Sequence, residues 1–414
     1  MQHPPQPSLI LSFEDARHLV EQHAAQLTPR ATETADLLDS CGHVLAETIV
    51  ADRDFPPFRR AARDGFAVRS ADVARVPATL QIVGEIKAGA APALLPALQP
   101  GQAAAIMTGA PAPEGADAVV MVEYSSTRQD QVQITQSVDY GANIVAVGSE
   151  AKSGQTLLTP GIFLDHAAIS VAASVGKVHL EVYTRPQIAV LASGDEIVDI
   201  DADPGPTQIR NSNSYSLAAQ IQEAGGEPVL LQVAADEPKR LRQLILQGLT
   251  ADLLLLSGGV SIGKYDLVEQ TLAGLGAEFL FQGARIQPGK PVVFGRTGSK
   301  AGRKYFFGLP GNPVSTMVTF QLFVRPVLDA LAGRVPRKLV FLHARLQSEI
   351  RTKTGLKRFL PAILSGEFEN AEVTLAKWQG SADIAATALA NCYIVIPPDR
   401  ERIPAGDWVP VLMR

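Results

Sequence analysis

Between residues 186 and about 333 the chain alternates short apolar runs with helical patterns, and this alternation constrains its fold more than any other feature. The runs 188–191, 229–233, 253–256, 279–281, 292–294 and 305–307 read as strands. Asn213 or Ser214 is expected to cap a helix with Leu217, Ile221 and Ala224 on one face. Pro238 starts another through Leu241, Leu244 and Ile245, and Asp266 opens a third over 267–275. A long helix from Val314 should kink at Pro326, which has no N–H and collides with the preceding turn. Consecutive apolar residues mean strands buried on both faces. Strands alternating with helices argue for a mostly parallel sheet between two helical layers.

The flanking texture differs. Ser12 can cap a helix running to about residue 27, with Asp15 near its positive end. A second helix is expected over 34–45, where Leu37, Leu38 and Cys41 have helical spacing. From 53 to 145, Pro and Gly punctuate the apolar runs 80–83, 103–107, 118–122 and 132–134, the pattern of a β-rich module. Asp165 caps a helix that Gly176 ends, and a strand follows over 178–182. Past Gly333 the runs 339–346, 359–364, 372–375, 393–396 and 409–412 suggest a small β-barrel or sandwich. The domains expected are 8–52 with 146–183 as a helix-bearing linker, 53–145 as the β-rich module, 184–333 as the α/β domain and 334–414 as the C-terminal domain.

A chain of 414 residues, 46% hydrophobic and 19% charged, can bury several cores, which excludes global disorder. A net charge of −5 excludes a strongly basic nucleic-acid footprint. Two cysteines, Cys41 and Cys392, make neither a disulfide framework nor a cysteine-ligated zinc site. No apolar run approaches the roughly 18 residues of a membrane span, and the start lacks a basic, then apolar, leader. The expectation is a cytoplasmic protein that engages neither membrane nor nucleic acid.

Ligands of open parallel sheets bind beyond the carboxyl ends of the strands. Those ends carry Ser193-Gly194-Asp195-Glu196, then Asp236, then Ser257-Gly258-Gly259-Val260-Ser261 with Asp266, then Gly308-Leu309-Pro310-Gly311-Asn312-Pro313. Gly turns let backbone N–H groups approach an anion, and nearby carboxylates suit a hard divalent ion bridging to phosphate. Each acid alone reads more readily as a helix cap; their convergence on one sheet edge favours a site. Residues 259–263 also match the G-x-S-x-G nucleophile elbow, with Ser261 as nucleophile. The only later histidine is His343, in an apolar strand pattern beyond the α/β region. Two basic runs, one around Arg53, Arg59, Arg60, Arg63 and Arg69 and one from Arg334 to Arg358, could meet a polyanionic ligand or form solvated faces.

Long motifs then occur in a recognisable order. They are Asp64-Gly65-Phe66-Ala67, Ile106-Met107-Thr108-Gly109-Ala110-Pro111, Glu114-Gly115-Ala116-Asp117, Ser193-Gly194-Asp195-Glu196, Asn211-Ser212-Asn213-Ser214, Ser257-Gly258-Gly259-Val260-Ser261, Pro288-Gly289-Lys290-Pro291 and Leu309-Pro310-Gly311-Asn312-Pro313. Together they cover nearly the whole chain, which resembles the molybdopterin molybdenumtransferases, the MoeA proteins and the gephyrin E domain. The resemblance implies an elongated, multidomain α/β-plus-β chain with a three-layer α/β molybdopterin-binding domain, a β-rich module and a C-terminal β-barrel. It implies insertion of molybdenum from molybdate, the substrate, into adenylylated molybdopterin, with Mg²⁺ present and the adenylate hydrolysed. It implies a homodimer whose active-site cleft pairs the α/β domain with the Asp64-bearing module of the second chain, and the molybdopterin adenylyltransferase as a partner.

By position, the resemblance assigns Asp236 and Asp266 to metal-assisted chemistry with Glu196 in support, and Asp64 to molybdate handling. Thr108, Asn213, Ser257, Gly258, Gly259, Ser261, Lys290, Pro310, Pro313 and Ser381 fall at substrate-lining positions, Lys290 as a phosphate holder. The chain departs from the family at Ala61 and Arg63 before Asp64-Gly65, at Val145 and Glu150, at Gln287 and at Leu356, positions where the family carries Ser, Met, Arg, Asp, Lys and Arg. Arg63, Lys357 or Arg358 are the cations that could stand in. The alternatives to an insertase are a paralogue that binds molybdopterin or a protein without turnover, and a serine hydrolase using Ser261.

Overall fold

The computed structural model describes residues 10–91, 97–235, 237–258, 267–298 and 302–414. The chain forms two compact units, one of Met1–Ala46, Pro160–Asp165 and His179–Arg414, the other of Glu47–Thr159 and His166–Val178.

The larger unit is built on a six-stranded sheet ordered Glu227–Leu230, Gln187–Ala192, Leu253–Ser257, Lys304–Leu309, Val293–Thr297, Glu278–Phe281. The first four run parallel, and each of the last two is antiparallel to its neighbour. Strand parity divides the core in two, because alternate residues face opposite sides. Ile188, Val190, Leu253, Leu255, Phe307 and Leu309 pack with residues of the helices Phe13–Ala24 and Ser212–Glu223 and of the segment 313–331. Ala189, Leu191, Leu254, Leu256 and Phe306 pack with the helices Pro238–Gly248 and Leu267–Gly274. The result is the expected three-layer arrangement. Each fully buried Leu on the central strand contributes about 1.5–3 kcal/mol of apolar transfer.

The helix expected to kink at Pro326 changes its winding just before that residue. Pro313–Thr319 and Arg325–Leu331 are α-helical, and Phe320–Val324 between them is a π turn. This 19-residue helix is long and apolar enough to cross a membrane, but 67% of its apolar window is buried in the core just described.

Two local expectations are corrected. Residues 34–45 are not a helix: Thr32–Asp36 is a strand paired antiparallel with His179–Tyr183, and Val44–Leu45 pairs with the same strand. Leu38 is 80% exposed, so the helical spacing of Leu37, Leu38 and Cys41 marks no buried stripe. β-branched Thr32 and Thr34 suit the ladder, and Gly42 at φ +84 turns the chain back. The helix after residue 211 is capped by Asn211, whose side chain accepts from the Ser214 N–H, not by Asn213 or Ser214.

The C-terminal strands close a barrel. Lys357–Ser365 pairs with Glu372–Leu375, which pairs with Phe341–Leu346, then Trp408–Met413, then Cys392–Ile396, which returns to Lys357–Ser365. Closure removes the free edges of a small sheet.

The smaller unit holds a six-stranded sheet ordered Ser125–Arg128, Gln131–Ile134, Ala78–Ile86, Gln102–Ile106, Gly65–Val68, Ala118–Met121. Its two faces bury separate apolar clusters. Gly65 is forced by packing: a Cβ there would stand 1.9 Å from the Val120 carbonyl oxygen.

Candidate active site

Gln187–Ala192, Leu253–Ser257 and Lys304–Leu309 lie side by side and parallel, so the residues that follow them emerge together. The Ser193 N–H donates to the Ser257 carbonyl at 3.1 Å, and the Gly258 N–H to the Leu309 carbonyl at 3.3 Å. Over this edge opens a cavity of about 760 Å³ whose walls include Ser193, Glu196, Asn213, Ser257, Gly258, Pro310 and Pro313.

Because Asn211 takes the cap, Asn213 is free to reach the sheet. Its Nδ2 donates to Ser257 Oγ at 2.9 Å and to the Gly311 carbonyl at 2.7 Å, tying two strand-end loops to the helix. Its Oδ1 is buried without a partner among the described residues, an acceptor left beside the cavity. Glu196 folds back over Gly194. That glycine has φ +143, a conformation L side chains rarely adopt, and a Cβ on it would lie 2.6 Å from Glu196 Oε2, so any other residue would strain the backbone and push the carboxylate aside. Pro313 sits in the first turn of its helix, where a missing N–H leaves nothing unpaired. The Pro310 carbonyl accepts from Thr316 Oγ1 at 2.5 Å.

A second cavity, about 660 Å³, adjoins the first. Ile286–Gln287 pairs parallel with Lys357–Arg358 of the barrel, which lays Pro288-Gly289-Lys290 against that domain. Lys290, Gln287, Ser315, Lys353, Arg358, Trp378 and Ser381 line the cavity. Arg358 is only 6% exposed. Its guanidinium donates to the Leu356 carbonyl at 3.0 Å and has no carboxylate partner among the described residues. Burial pulls its basicity below the ordinary arginine value. Lys357, one residue earlier and on the opposite face of the strand, is engaged elsewhere: it donates to Glu14 and lies 4.8 Å from the Phe13 ring centre. Pro291 and Asn312 belong to the walls of both cavities. Asn312 Nδ2 donates to Ser381 Oγ at 2.9 Å, and the Val314 N–H to the Ser381 carbonyl at 3.1 Å.

In the smaller unit, Asp64 and Thr108 form their own cluster. One Asp64 oxygen, Oδ1, accepts from the Thr108 N–H at 2.6 Å and from Thr108 Oγ1 at 2.8 Å. These bonds hold the exposed carboxyl below the usual carboxylate range, so it is an anion at neutral pH. Nearby, Arg60 stands opposite Val145 in a short ladder, and its guanidinium meets Glu150 at 2.6 Å.

The structure thus brings together Glu196, Asn213, Ser257, Gly258, Pro310 and Pro313 at one cavity, and Lys290 and Ser381 at the other. Asp236, Asp266, Gly259 and Ser261 lie outside the described residues. Among those described, no three His, Cys, Asp or Glu side chains converge on a metal position. His343 lies exposed on a barrel strand, opposite Pro410. Lys353, Asn312 and Trp378 were missed from sequence. Lys353 falls in the basic run of residues 334–358 and Asn312 in the Pro-Gly-Asn-Pro loop, neither of which says which side chain meets the cavity, and Trp378 carried no signal.

Residues 11–176 match the MoeA N-terminal region (domain I and II), 189–330 a probable molybdopterin binding domain, and 343–413 the MoeA C-terminal region (domain IV). The molybdopterin molybdenumtransferase of a Nostoc species is 36% identical over 390 residues, 92% of this chain and 88% of that protein. The chain belongs to the molybdopterin molybdenumtransferase family. The Bacillus subtilis molybdopterin molybdenumtransferase is 32% identical over 392 residues, 92% of this chain and 90% of that one. The crystal structure of the molybdopterin biosynthesis MoeA protein from Pyrococcus horikoshii superposes with a TM-score of 0.76 at 27% identity, covering 98% of this chain and 100% of that one. The chain is therefore an enzyme of that family, with a role in molybdenum cofactor biosynthesis.

Proposed function

We propose that this molybdenumtransferase takes adenylylated molybdopterin into the strand-end cavity and molybdate into the adjoining cationic one, inserts the metal and releases AMP. The observation that carries this reading is the buried Arg358 guanidinium, without a carboxylate partner among the described residues, in a cavity that Lys290 and Lys353 also line and that shares Pro291 and Asn312 with the strand-end pocket. A desolvated cation without a carboxylate is stabilised by an anionic ligand, and the shared wall puts that ligand next to a bound nucleotide.

Asn213 holds the two strand-end loops at fixed separation, and its free Oδ1 is an acceptor for a donor on the pterin or purine. Lys290 supplies a mobile ammonium for phosphate or molybdate oxygens. Mg²⁺ in nucleotide sites is usually held by one or two carboxylates together with substrate phosphates, and Glu196 is the described carboxylate on the wall that fits this role. A bound ion there would neutralise the phosphoanhydride as it is cleaved. Asp64, kept ionised by Thr108, is assigned to handling the incoming metal. The reading carries a homodimer, delivery of the nucleotide by the molybdopterin adenylyltransferase, and a reducing, cytoplasmic setting for the free thiols Cys41 and Cys392.

Two departures from the family pattern are met by nearby cations, which supports turnover over binding alone. Arg358 serves the cavity that Leu356 cannot, and Arg60 pairs with Glu150 from across the ladder to Val145. The test is molybdenum incorporation from adenylylated molybdopterin and molybdate, with and without Mg²⁺. Formation of molybdenum cofactor with stoichiometric AMP supports the reading, and nucleotide binding without incorporation under either condition overturns it.

A further inference from the structure

A separate pocket of about 230 Å³ lies where the end of the first helix meets the last helix of the α/β domain and the segment leading to the barrel. Its walls include Ala24, Ala25, Pro326, Ala330 and Pro336, and its polar groups are Glu21, Asp329, Arg334, Arg337 and Lys338. It shares no residue with either active-site cavity.

The charges around it do not balance. Asp329, 6% exposed, is shared by three guanidinium groups: Arg325 at 3.0 Å, Arg337 at 3.3 Å and Arg334 at 3.7 Å. Glu21 is already engaged by Arg17 at 2.6 Å. Lys338 has no acidic partner among the described residues. Arg334 is held in place by the Phe163 ring, 4.0 Å below its guanidinium. Its basicity falls to about 10, because it is desolvated and faces Arg337 and Arg325. A carboxylate can satisfy one guanidinium fully, so this pocket keeps unspent positive charge above an apolar floor.

We propose that this pocket binds a small organic anion, its apolar body against Ala24, Ala25, Pro326, Ala330 and Pro336 and its acidic head on Arg337 and Lys338. An apolar floor with a few convergent polar groups is the usual make-up of a small-ligand site, and the cationic rim selects the anion. Inorganic phosphate has no body to cover the floor, and a neutral aromatic leaves the cations unmet.

The test titrates the full chain with phenyl phosphate, using calorimetry, in parallel with inorganic phosphate and benzyl alcohol. The proposal expects saturable binding of phenyl phosphate at least tenfold tighter than of the other two. That binding should survive the combined Lys290→Ala and Arg358→Ala change, which strips the cationic cavity. It should weaken at least tenfold in Arg337→Ala/Lys338→Ala, where Arg325 and Arg334 still hold Asp329, and vanish in Ala25→Phe, which fills the floor from an exposed position. Molybdenum incorporation by the Arg337→Ala/Lys338→Ala protein should stay unchanged. Binding that is absent, that is unaffected by Arg337→Ala/Lys338→Ala, that is lost with Lys290 and Arg358, or that is matched by inorganic phosphate overturns the proposal.

Discussion

Arg17, on the first helix, donates its guanidinium to the carbonyl of Leu322, the oxygen four residues before Pro326. In an unbroken helix the N–H of residue 326 would take that oxygen, and proline has none. The buried arginine therefore completes the hydrogen bonding of a helix some 300 residues away and is itself steadied by Glu21 at 2.6 Å.

Replacing Arg17 with Met should cost about 1–3 kcal/mol, the usual penalty for a buried acceptor stripped of its donor. Placed in a Pro326→Ala background, the same change should cost less, because the restored N–H can serve Leu322. Urea midpoints of the four proteins of this double-mutant cycle check the coupling. Additive losses would mean that the two residues act independently.

Arg358→Met should separate stability from function. Arg358 is buried without a carboxylate partner among the described residues, so an apolar side chain of similar reach should leave the melting temperature unchanged or raise it. Molybdenum incorporation should fall at least tenfold, chiefly through a higher half-saturating molybdate concentration. Lys357→Met, one residue away, should instead loosen the contact with Glu14 and Phe13 and leave the molybdate dependence alone.

The Asp64 carboxyl should titrate below an ordinary aspartate, since both Thr108 bonds favour its anion. A group depressed in the folded state stabilises above its unfolded value, and that contribution is lost as the pH falls through the folded one. Thr108→Val keeps the backbone bond and removes the hydroxyl. It should move the Asp64 titration upward and bring acid unfolding to a higher pH. Carboxyl NMR shifts followed from pH 6 downward read this directly, and an unmoved titration would contradict it.

The two thiols should differ in reactivity. Cys41 is exposed, whereas Cys392 is buried in the barrel and its thiol is pushed up to about 11 by desolvation. A thiol reagent at pH 8 should label one cysteine in the native protein and two in denaturant. Rapid native labelling of Cys392 would indicate an open barrel.

Asn213→Ala tests the strand-end clamp. It removes two bonds, to Ser257 Oγ, which is buried, and to the Gly311 carbonyl at the cavity wall. The expected loss is about 1–3 kcal/mol of stability, with nucleotide affinity falling more steeply than turnover. Thermal melts and nucleotide titrations on the same preparation distinguish this from a purely structural role, which would move only the melt.

Much of this architecture was legible in the amino-acid order, because its signals are local. Continuous apolar runs such as Leu253 to Leu256 can be buried on both faces only in a covered sheet, and Pro326 must disturb any helix it enters. The Asp64-Gly65 motif was visible as well, but that a Cβ on Gly65 would strike the Val120 carbonyl emerges only from the strand pairing. Tertiary pairing decided what local spacing could not. Thr32–Asp36 became a strand because His179–Tyr183 offers a ladder to it, overriding the helical spacing that follows. Asn211 took the helix cap and so released Asn213 to the sheet edge. Lys357 and Arg358 are indistinguishable as adjacent cations in sequence. Strand geometry turns one toward Glu14 and the other into the cavity, and only the pairing of that strand with Ile286–Gln287 determines which charge lines it.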